Sequence, residues 1–423
     1  MHCCPVCLEE KADLLLSRDA VPVLQNVIVP TEAEAHDFPT GRLRLMQCCS
    51  CDFVWNADFD PAIIDYGDNY NNSVQASRIY LQHQSDMAQK LLSSIEAHNG
   101  LHVLEIGCGK GEFIDLLDQL NALDSALGFD PSATPRNDGS IRIVSNYFSS
   151  ETMSEVPATV NVVCSRHTIE HISDPRRFIA PIAELVRARK LRLFLETPDV
   201  SWILDHVAFE DFFYEHCSLF SPASMARLLS EFGLTCRTES VYNGQYMWTE
   251  AWPATERHAD LPHVLEKGAA FRAHYEAEIG SWRQKTAELS QKGPLAIWGA
   301  ASKGVTFALL MDKVSYAIDL NEAKQNCFLP VSGKPILSPA AARETGVRSI
   351  IIMNPNYAEE IRQLTRSMDW DVELLDLHNQ DQANQEWPSL STCLPTSGDL
   401  PSVMPPILPL APASPSSSSM NRP

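Results

Sequence analysis

An apolar strand that runs straight into three glycines and re-emerges as a helix can be built in few ways. Val103-Leu104-Glu105-Ile106-Gly107-Cys108-Gly109-Lys110-Gly111-Glu112-Phe113 is such a run. Glycine accepts the positive φ and the close backbone approach that a turn at the carboxyl end of a strand requires. Phe113, Leu116, Leu117 and Leu120 follow at the i, i+3, i+4, i+7 spacing of one helix face. Short apolar strands recur at 126–129, 160–163 and 193–195, with helical patterns between them. This alternation predicts a mostly parallel sheet covered on both faces.

A charged, periodic stretch from about 264 to 289 reads as a long connecting helix. The α/β pattern then restarts at Leu295-Ala296-Ile297-Trp298, passes through Tyr316-Ala317-Ile318 and ends near Val372-Glu373-Leu374-Leu375. A chain of 423 residues exceeds one ordinary core, so two or three domains are expected. The expected division is a cysteine-bearing module over 1–60, an α/β domain over 61–255, a second α/β domain with its connecting helix over 256–380, and a tail over 381–423. The tail is rich in Pro and Ser and has too little apolar surface to order itself, so it is predicted to be disordered.

Six of the 12 cysteines fall in the first 51 residues. Cys4-Pro5-Val6-Cys7 and Cys48-Cys49-Ser50-Cys51 are two C-x2-C knuckles, each aiming two thiolates at one point. Together Cys4, Cys7, Cys48 and Cys51 make the tetrahedral S4 shell that zinc prefers, with Cys3 and Cys49 as spare thiols. Four thiolates leave no open coordination position, so the expected zinc is structural. A redox pair fits less well, because neither knuckle opens a helix after a strand. The opening MHCCPVC lacks the features of a secretory leader, and no apolar run approaches the roughly 20 residues of a membrane span. A cytoplasmic, reducing setting is expected, which favours metal ligands over a disulfide framework. The net charge of −21 argues against nucleic acid or an anionic membrane as the main partner; a small-molecule substrate is expected instead.

Three details of the glycine turn favour S-adenosylmethionine (SAM) over a dinucleotide. The spacing is G-x-G-x-G, not the phosphate-binding G-x-G-x-x-G. Glu105 would repel a pyrophosphate but suits a cationic amino acid. Asp130, at the end of the next strand in Gly128-Phe129-Asp130-Pro131, is placed to hold ribose hydroxyls. With these features the sequence resembles class I SAM-dependent methyltransferases. The resemblance implies that Glu105, Gly107, Gly109, Gly111 and Asp130 form the cofactor site, and that Ser165 to His171 follows the fourth strand.

Phe212-Phe213-Tyr214-Glu215-His216-Cys217 encloses a Glu-His pair in aromatic residues. It precedes Ser221-Pro222, which reads as N-cap and first residue of a helix running to Phe232 and stopped by Gly233. Such a pair suits general base work, with His216 as base and Glu215 orienting it. The ordered set of cysteine knuckles, Tyr66-to-Ser73 segment, glycine turn, Glu-His pair and Ile297-Trp298-Gly299-Ala300-Ala301-Ser302-Lys303-Gly304 resembles the sugar C-methyltransferase family over about 3–375. The resemblance implies methylation of a carbon beside a ketone on a nucleotide-linked sugar. It further implies His216 as the base, Glu215 as its partner, and Tyr70, or else Tyr66, as an enolate-stabilising tyrosine. Members tend to write Y-H-E-H where this chain has Phe213-Tyr214-Glu215-His216, so one hydroxyl is missing. O- or N-methylation of a secondary metabolite and a non-catalytic SAM- or sugar-binding role are the alternatives. The second glycine turn, with Gly299, Ser302 and Lys303, is a helix N-terminus that could meet a phosphate or be purely structural. The expected fold is therefore α/β: a zinc-ribbon-like module, a Rossmann-like methyltransferase domain and a second Rossmann-like domain.

Overall fold

The computed structural model describes residues 3–65, 77–95, 100–255 and 265–378. Tyr66, Tyr70 and the tail over 381–423 lie outside the described residues. No helix among the described residues is long and apolar enough to cross a membrane. Among those residues the strands form three sheets and the architecture is α/β.

The first sheet is antiparallel and follows the first cysteine pair. It holds β1 (Ala12–Pro22), β2 (Thr40–Cys48) and β3 (Val54–Asn56). Between β1 and β2 lies α1 (Glu32–His36), fixed by a capping box in which Thr31 accepts from the Glu34 amide and Glu34 accepts from the Thr31 amide. The strands form because alternate residues, such as Leu43 and Leu45, bury one face. A fourth strand, β10 (Ser218–Leu219), arrives from far along the chain and pairs with β3 through Ser218–Trp55 and Leu219–Val54.

The second sheet begins after α2 (Arg78–Ser93) with β4 (His102–Ile106), α3 (Glu112–Gln119), β5 (Ser125–Phe129), β6 (Arg136–Asp138), β7 (Ile141–Val144) and β8 (Val162–Arg166). It continues through α4 (Pro175–Arg189), β9 (Arg192–Pro198), α5 (Val200–Asp205), α6 (Pro222–Glu231), β11 (Leu234–Val241) and β12 (Tyr246–Pro253). The order is β11-β12-β9-β8-β4-β5-β7-β6, parallel from β9 to β7 and antiparallel at both edges. Strand β8 starts two residues later than the apolar run suggests. Asn161 spends its side chain on the backbone, accepting from His102 N at 3.0 Å and donating to Gly100 O at 2.8 Å. As expected, Ser221 caps α6 and Gly233, at φ +71°, follows its end.

The third sheet is wholly parallel and follows α7 (Leu265–Ser290). Its elements are β13 (Leu295–Trp298), α8 (Ser302–Leu310), β14 (Val314–Ile318), β15 (Ile336–Leu337), α9 (Pro339–Glu344), β16 (Ser349–Ile352), α10 (Ala358–Ser367) and β17 (Glu373–Asp376). The order is β15-β14-β13-β16-β17. In both large sheets the glycine turn follows the strand at which the order reverses, β4 in one and β13 in the other. Such a switch point opens a crevice at the strands' carboxyl ends. The two crevices face one shared cleft of about 1770 Å³. Its walls are joined by Tyr242 Oη donating to Tyr357 Oη at 2.7 Å and Gln245 Nε2 donating to Asn354 Oδ1 at 3.1 Å.

Candidate active site

The first glycine turn is shaped by both conformation and space. Gly107 and Gly111 have φ of +74° and +84°, where a side chain is strained. A Cβ on Gly107 would also lie 2.1 Å from Thr168 Oγ1, so the turn and the 165–171 segment fit only without it. A Cβ on Gly109 would meet nothing within 4 Å, which leaves that face of the turn open. Asp130 lines the cleft and braces the turn from the end of β5. Its carboxylate accepts from Gly109 N at 2.9 Å and from Ser132 N at 2.8 Å.

Two buried groups beside the turn lack partners. Glu105 is 3% exposed, and its Oε2 accepts no hydrogen bond. Burial pushes its carboxyl up to about 8, against a smaller opposing pull from Arg166. Arg166, at the end of β8, donates through Nε to Glu196 Oε2 at 2.7 Å and stacks 4.2 Å over the Phe113 ring, while its Nη2 donates to nothing. Burial alone would raise the Glu196 carboxyl; Arg166, then His167 and His83, more than reverse this and hold it well below the usual range. The amino-acid end of SAM is a zwitterion. It needs one acceptor and one donor out of water, which is what Glu105 and Arg166 offer, so these residues fit the cofactor. Arg166 carried no assigned role in the sequence. Its only signal there was a position at the end of a strand beside the glycine turn.

The same cleft is lined by the loop that carries the Glu-His pair. Phe213 and His216 line the cleft, their ring centroids 4.1 Å apart. Tyr214 turns the other way. It is 1% exposed, lies against Gly41, and its hydroxyl accepts from Asp60 N at 2.8 Å. Glu215 is buried; its Oε1 accepts from Gln25 N at 2.8 Å, and its Oε2 lies 3.9 Å from His171 Nδ1. His171 meets His216 edge to face at 4.7 Å between centroids. Burial first, and the neighbouring His171 and His167 second, hold the His216 imidazole well below its ordinary pKa. It therefore stands neutral, with a lone pair available as a base. His171 and Glu170 escaped the sequence reading because their proximity to His216 depends on how β10 docks: Ser218 Oγ donates to Ile172 O at 2.6 Å.

The cysteine-bearing sheet holds this loop in place. Asn56 N donates to Cys217 O at 3.0 Å, and Arg18 donates to Phe212 O at 3.0 Å and Phe209 O at 2.7 Å. At its far end Cys4, Cys7, Cys48 and Cys51 converge, with all four sulfurs within 4.8 Å of one another. The Cys4–Cys51 and Cys7–Cys48 sulfurs are 3.6 and 3.4 Å apart. A tetrahedral Zn–S shell of about 2.3 Å radius requires separations of about 3.8 Å, so the set fits a closed metal site. Cys3 is exposed and stands outside it.

The second glycine turn repeats the bracing of the first. Gly299 N donates to Ile318 O at 2.8 Å, as Gly107 N does to Phe129 O at 2.7 Å. Ala300 N and Asn321 N donate to Asp319 at 2.9 and 2.8 Å. Lys303 is committed to Asp211 and lies 5.0 Å over the Trp202 ring. Lys324, only 5% exposed, reaches Ala300 O at 3.1 Å and Asn26 Oδ1 at 3.3 Å, while Ser302 Oγ accepts from Asn26 Nδ2.

Residues 80–239 match the methyltransferase domain family, and residues 253–375 match the C-methyltransferase C-terminal domain family. The C-methyltransferase NovU of Streptomyces niveus is 26% identical over 309 residues, covering 66% of this chain and 73% of NovU. Among solved structures, a chain of the complex between the Haloferax volcanii Trm112 methyltransferase activator and a methyltransferase aligns with 14% identity and a TM-score of 0.32. That alignment covers 44% of this chain and 96% of the other. The CurJ carbon methyltransferase aligns with 15% identity and a TM-score of 0.31, over 42% of this chain and 56% of CurJ.

Proposed function

Because this chain is a SAM-dependent methyltransferase of the C-methyltransferase family, we propose that it methylates a carbon beside a ketone on a nucleotide-linked sugar, with His216 as the base. The observation that carries this reading is a neutral, half-buried imidazole lining the same cleft as the glycine turn. When bound, SAM supplies an electrophilic methyl on a sulfonium. Glu105 Oε2 would hold its ammonium, Arg166 Nη2 its carboxylate, and Asp130 the ribose edge. His216 removes the proton from the substrate carbon; the electron pair left there would bond to the methyl as its bond to sulfur breaks, and the sulfonium would leave as a neutral thioether. Glu215 and His171 orient the imidazole, Phe213 excludes water, and Tyr70 is the candidate enolate partner. On the opposite wall, Lys324 and the α8 amides beside Ser302 suit the substrate's diphosphate. The four thiolates hold structural zinc, in keeping with a reducing, cytoplasmic setting.

The test is solvent exchange. In deuterated water without SAM, the wild-type enzyme is expected to exchange the proton beside the ketone of a nucleotide-linked keto-sugar. His216→Gln should slow that exchange by roughly two to four orders of magnitude, the worth of a positioned base. Exchange that survives His216→Gln undiminished removes the histidine from this role.

A further inference from the structure

Three donors on two separate segments meet in the cleft wall: the Glu170 carboxylate, a ring nitrogen of His171 and a ring nitrogen of His216. All lie within 4.8 Å of one another. We propose that they form a second divalent-metal site, distinct from the four cysteines, that takes a borderline transition cation such as Zn²⁺, Co²⁺ or Ni²⁺. Two imidazoles and one carboxylate are the donor set such ions accept with a coordination position left open.

The surroundings of the ligands carry the argument beyond their proximity. Glu170 is 1% exposed; its Oε2 accepts from Thr197 Oγ1 at 2.9 Å, and its Oε1 accepts no hydrogen bond, with His167 Nδ1 3.4 Å away. A buried carboxylate oxygen without a donor is costly unless a cation completes it. His171 has its Nδ1 at ion-pair distance, 3.9 Å, from Glu215 Oε2. Glu215 is anchored in turn by Gln25 N. Carboxylate behind imidazole and hydroxyl behind carboxylate are the outer contacts that orient metal ligands. The rings of His171 and His216 meet edge to face, at 86°. A cation held here takes up the His216 lone pair, so occupancy inhibits proton abstraction. That consequence rests on the proposed role of His216, whereas binding itself does not.

The test uses tag-free, full-length protein with its cysteine-bound metal in place, titrated with Co²⁺. The expected result is a near-stoichiometric site with weak visible bands of nitrogen and oxygen coordination and without the strong near-ultraviolet thiolate charge transfer of the cysteine set. E170Q and H171Q should each weaken it by more than the roughly 10- to 100-fold that follows loss of an outer partner. Circular dichroism and retained cysteine-bound metal control for folding. No such spectrum in the wild-type protein overturns the proposal, as does a spectrum unmoved by both substitutions. Co²⁺ bound at this site with methyl transfer undiminished upholds the site and removes His216 as the base.

Discussion

At 3% exposure, Glu105, the proposed partner of the SAM ammonium, has its charge undecided near neutral pH, because burial raises its carboxyl from 4.5 to about 8. The unfolded chain loses this proton near 4.5 and the folded chain only near 8. Its contribution to stability is therefore complete at low pH and falls as pH rises through that window. An ammonium at Oε2 reverses the shift, so SAM binding at pH 7 should release up to about one proton. Calorimetry in two buffers of unequal ionisation heat should give unequal apparent enthalpies, and Glu105→Gln should remove the difference. Equal enthalpies for the wild-type protein would sink this account. His216 is displaced the other way. The unfolded chain gains its proton first as pH drops, so the stability this neutral group provides is lost below about 6.5. The acid limb of the turnover profile should accordingly lie well under 6.5; an inflection at the ordinary histidine value would show a solvated imidazole instead. Asp130 illustrates what a sequence conveys and what it hides. Its place after a strand is legible, but its hydrogen bond to Gly109 N, which makes it a brace for the turn, depends on the register of β5 against β4.

Among the elements, the smallest has the widest consequences. β10 is two residues long, yet it joins the cysteine-bearing sheet to the loop of His216, with Phe220 packed 4.8 Å from Phe53, two residues beyond Cys51. Loss of a metal from the four cysteines should therefore be felt at His216 more than at the first glycine turn, which stands on β4 and β5. Cys4→Ser or Cys51→Ser is expected to abolish metal retention, lower the unfolding temperature and depress turnover, with SAM affinity in the remaining folded protein nearly unchanged. Metal analysis alongside SAM calorimetry checks it. Full turnover in a metal-free variant would contradict it. The cysteine pairs and the glycine turns were legible because each is a contiguous string whose chemistry is local. The pairing of β10 was not, because a two-residue strand has no periodicity and its partner lies more than 160 residues away. The antiparallel edge of β11 and β12 escaped for a related reason: burial along its eight-residue strands does not alternate strictly from residue to residue.

At the scale of the whole molecule, the two large sheets bring their switch points to one cleft. Glu105, Asp130 and Arg166 line it beside the first glycine turn, whereas Lys324, and Lys303 with its partner Asp211, line it beside the second. Burial pushes the Lys324 ammonium's pKa down, with Asp319 and then Glu215 pulling it back, and its Nζ donates to two neutral oxygens, Ala300 O and Asn26 Oδ1. An anionic leaving end of the substrate would complete it. Lys324→Met should raise KM for a nucleotide-linked substrate about tenfold or more while sparing SAM affinity, the loss expected for one charge-assisted contact. An unchanged KM would assign this wall to structure alone. That a second glycine turn stands at Gly299 was visible in the sequence; that both turns open on one cleft was not, because the contacts of Tyr242 with Tyr357 and Gln245 with Asn354 span more than 100 residues. The central claim is that the methyl group goes to carbon. The most direct measurement is NMR of the product formed from ¹³C-methyl SAM and a panel of nucleotide-linked keto-sugars. The account predicts a labelled methyl bonded to the carbon beside the ketone. A labelled methyl on oxygen or nitrogen would contradict it.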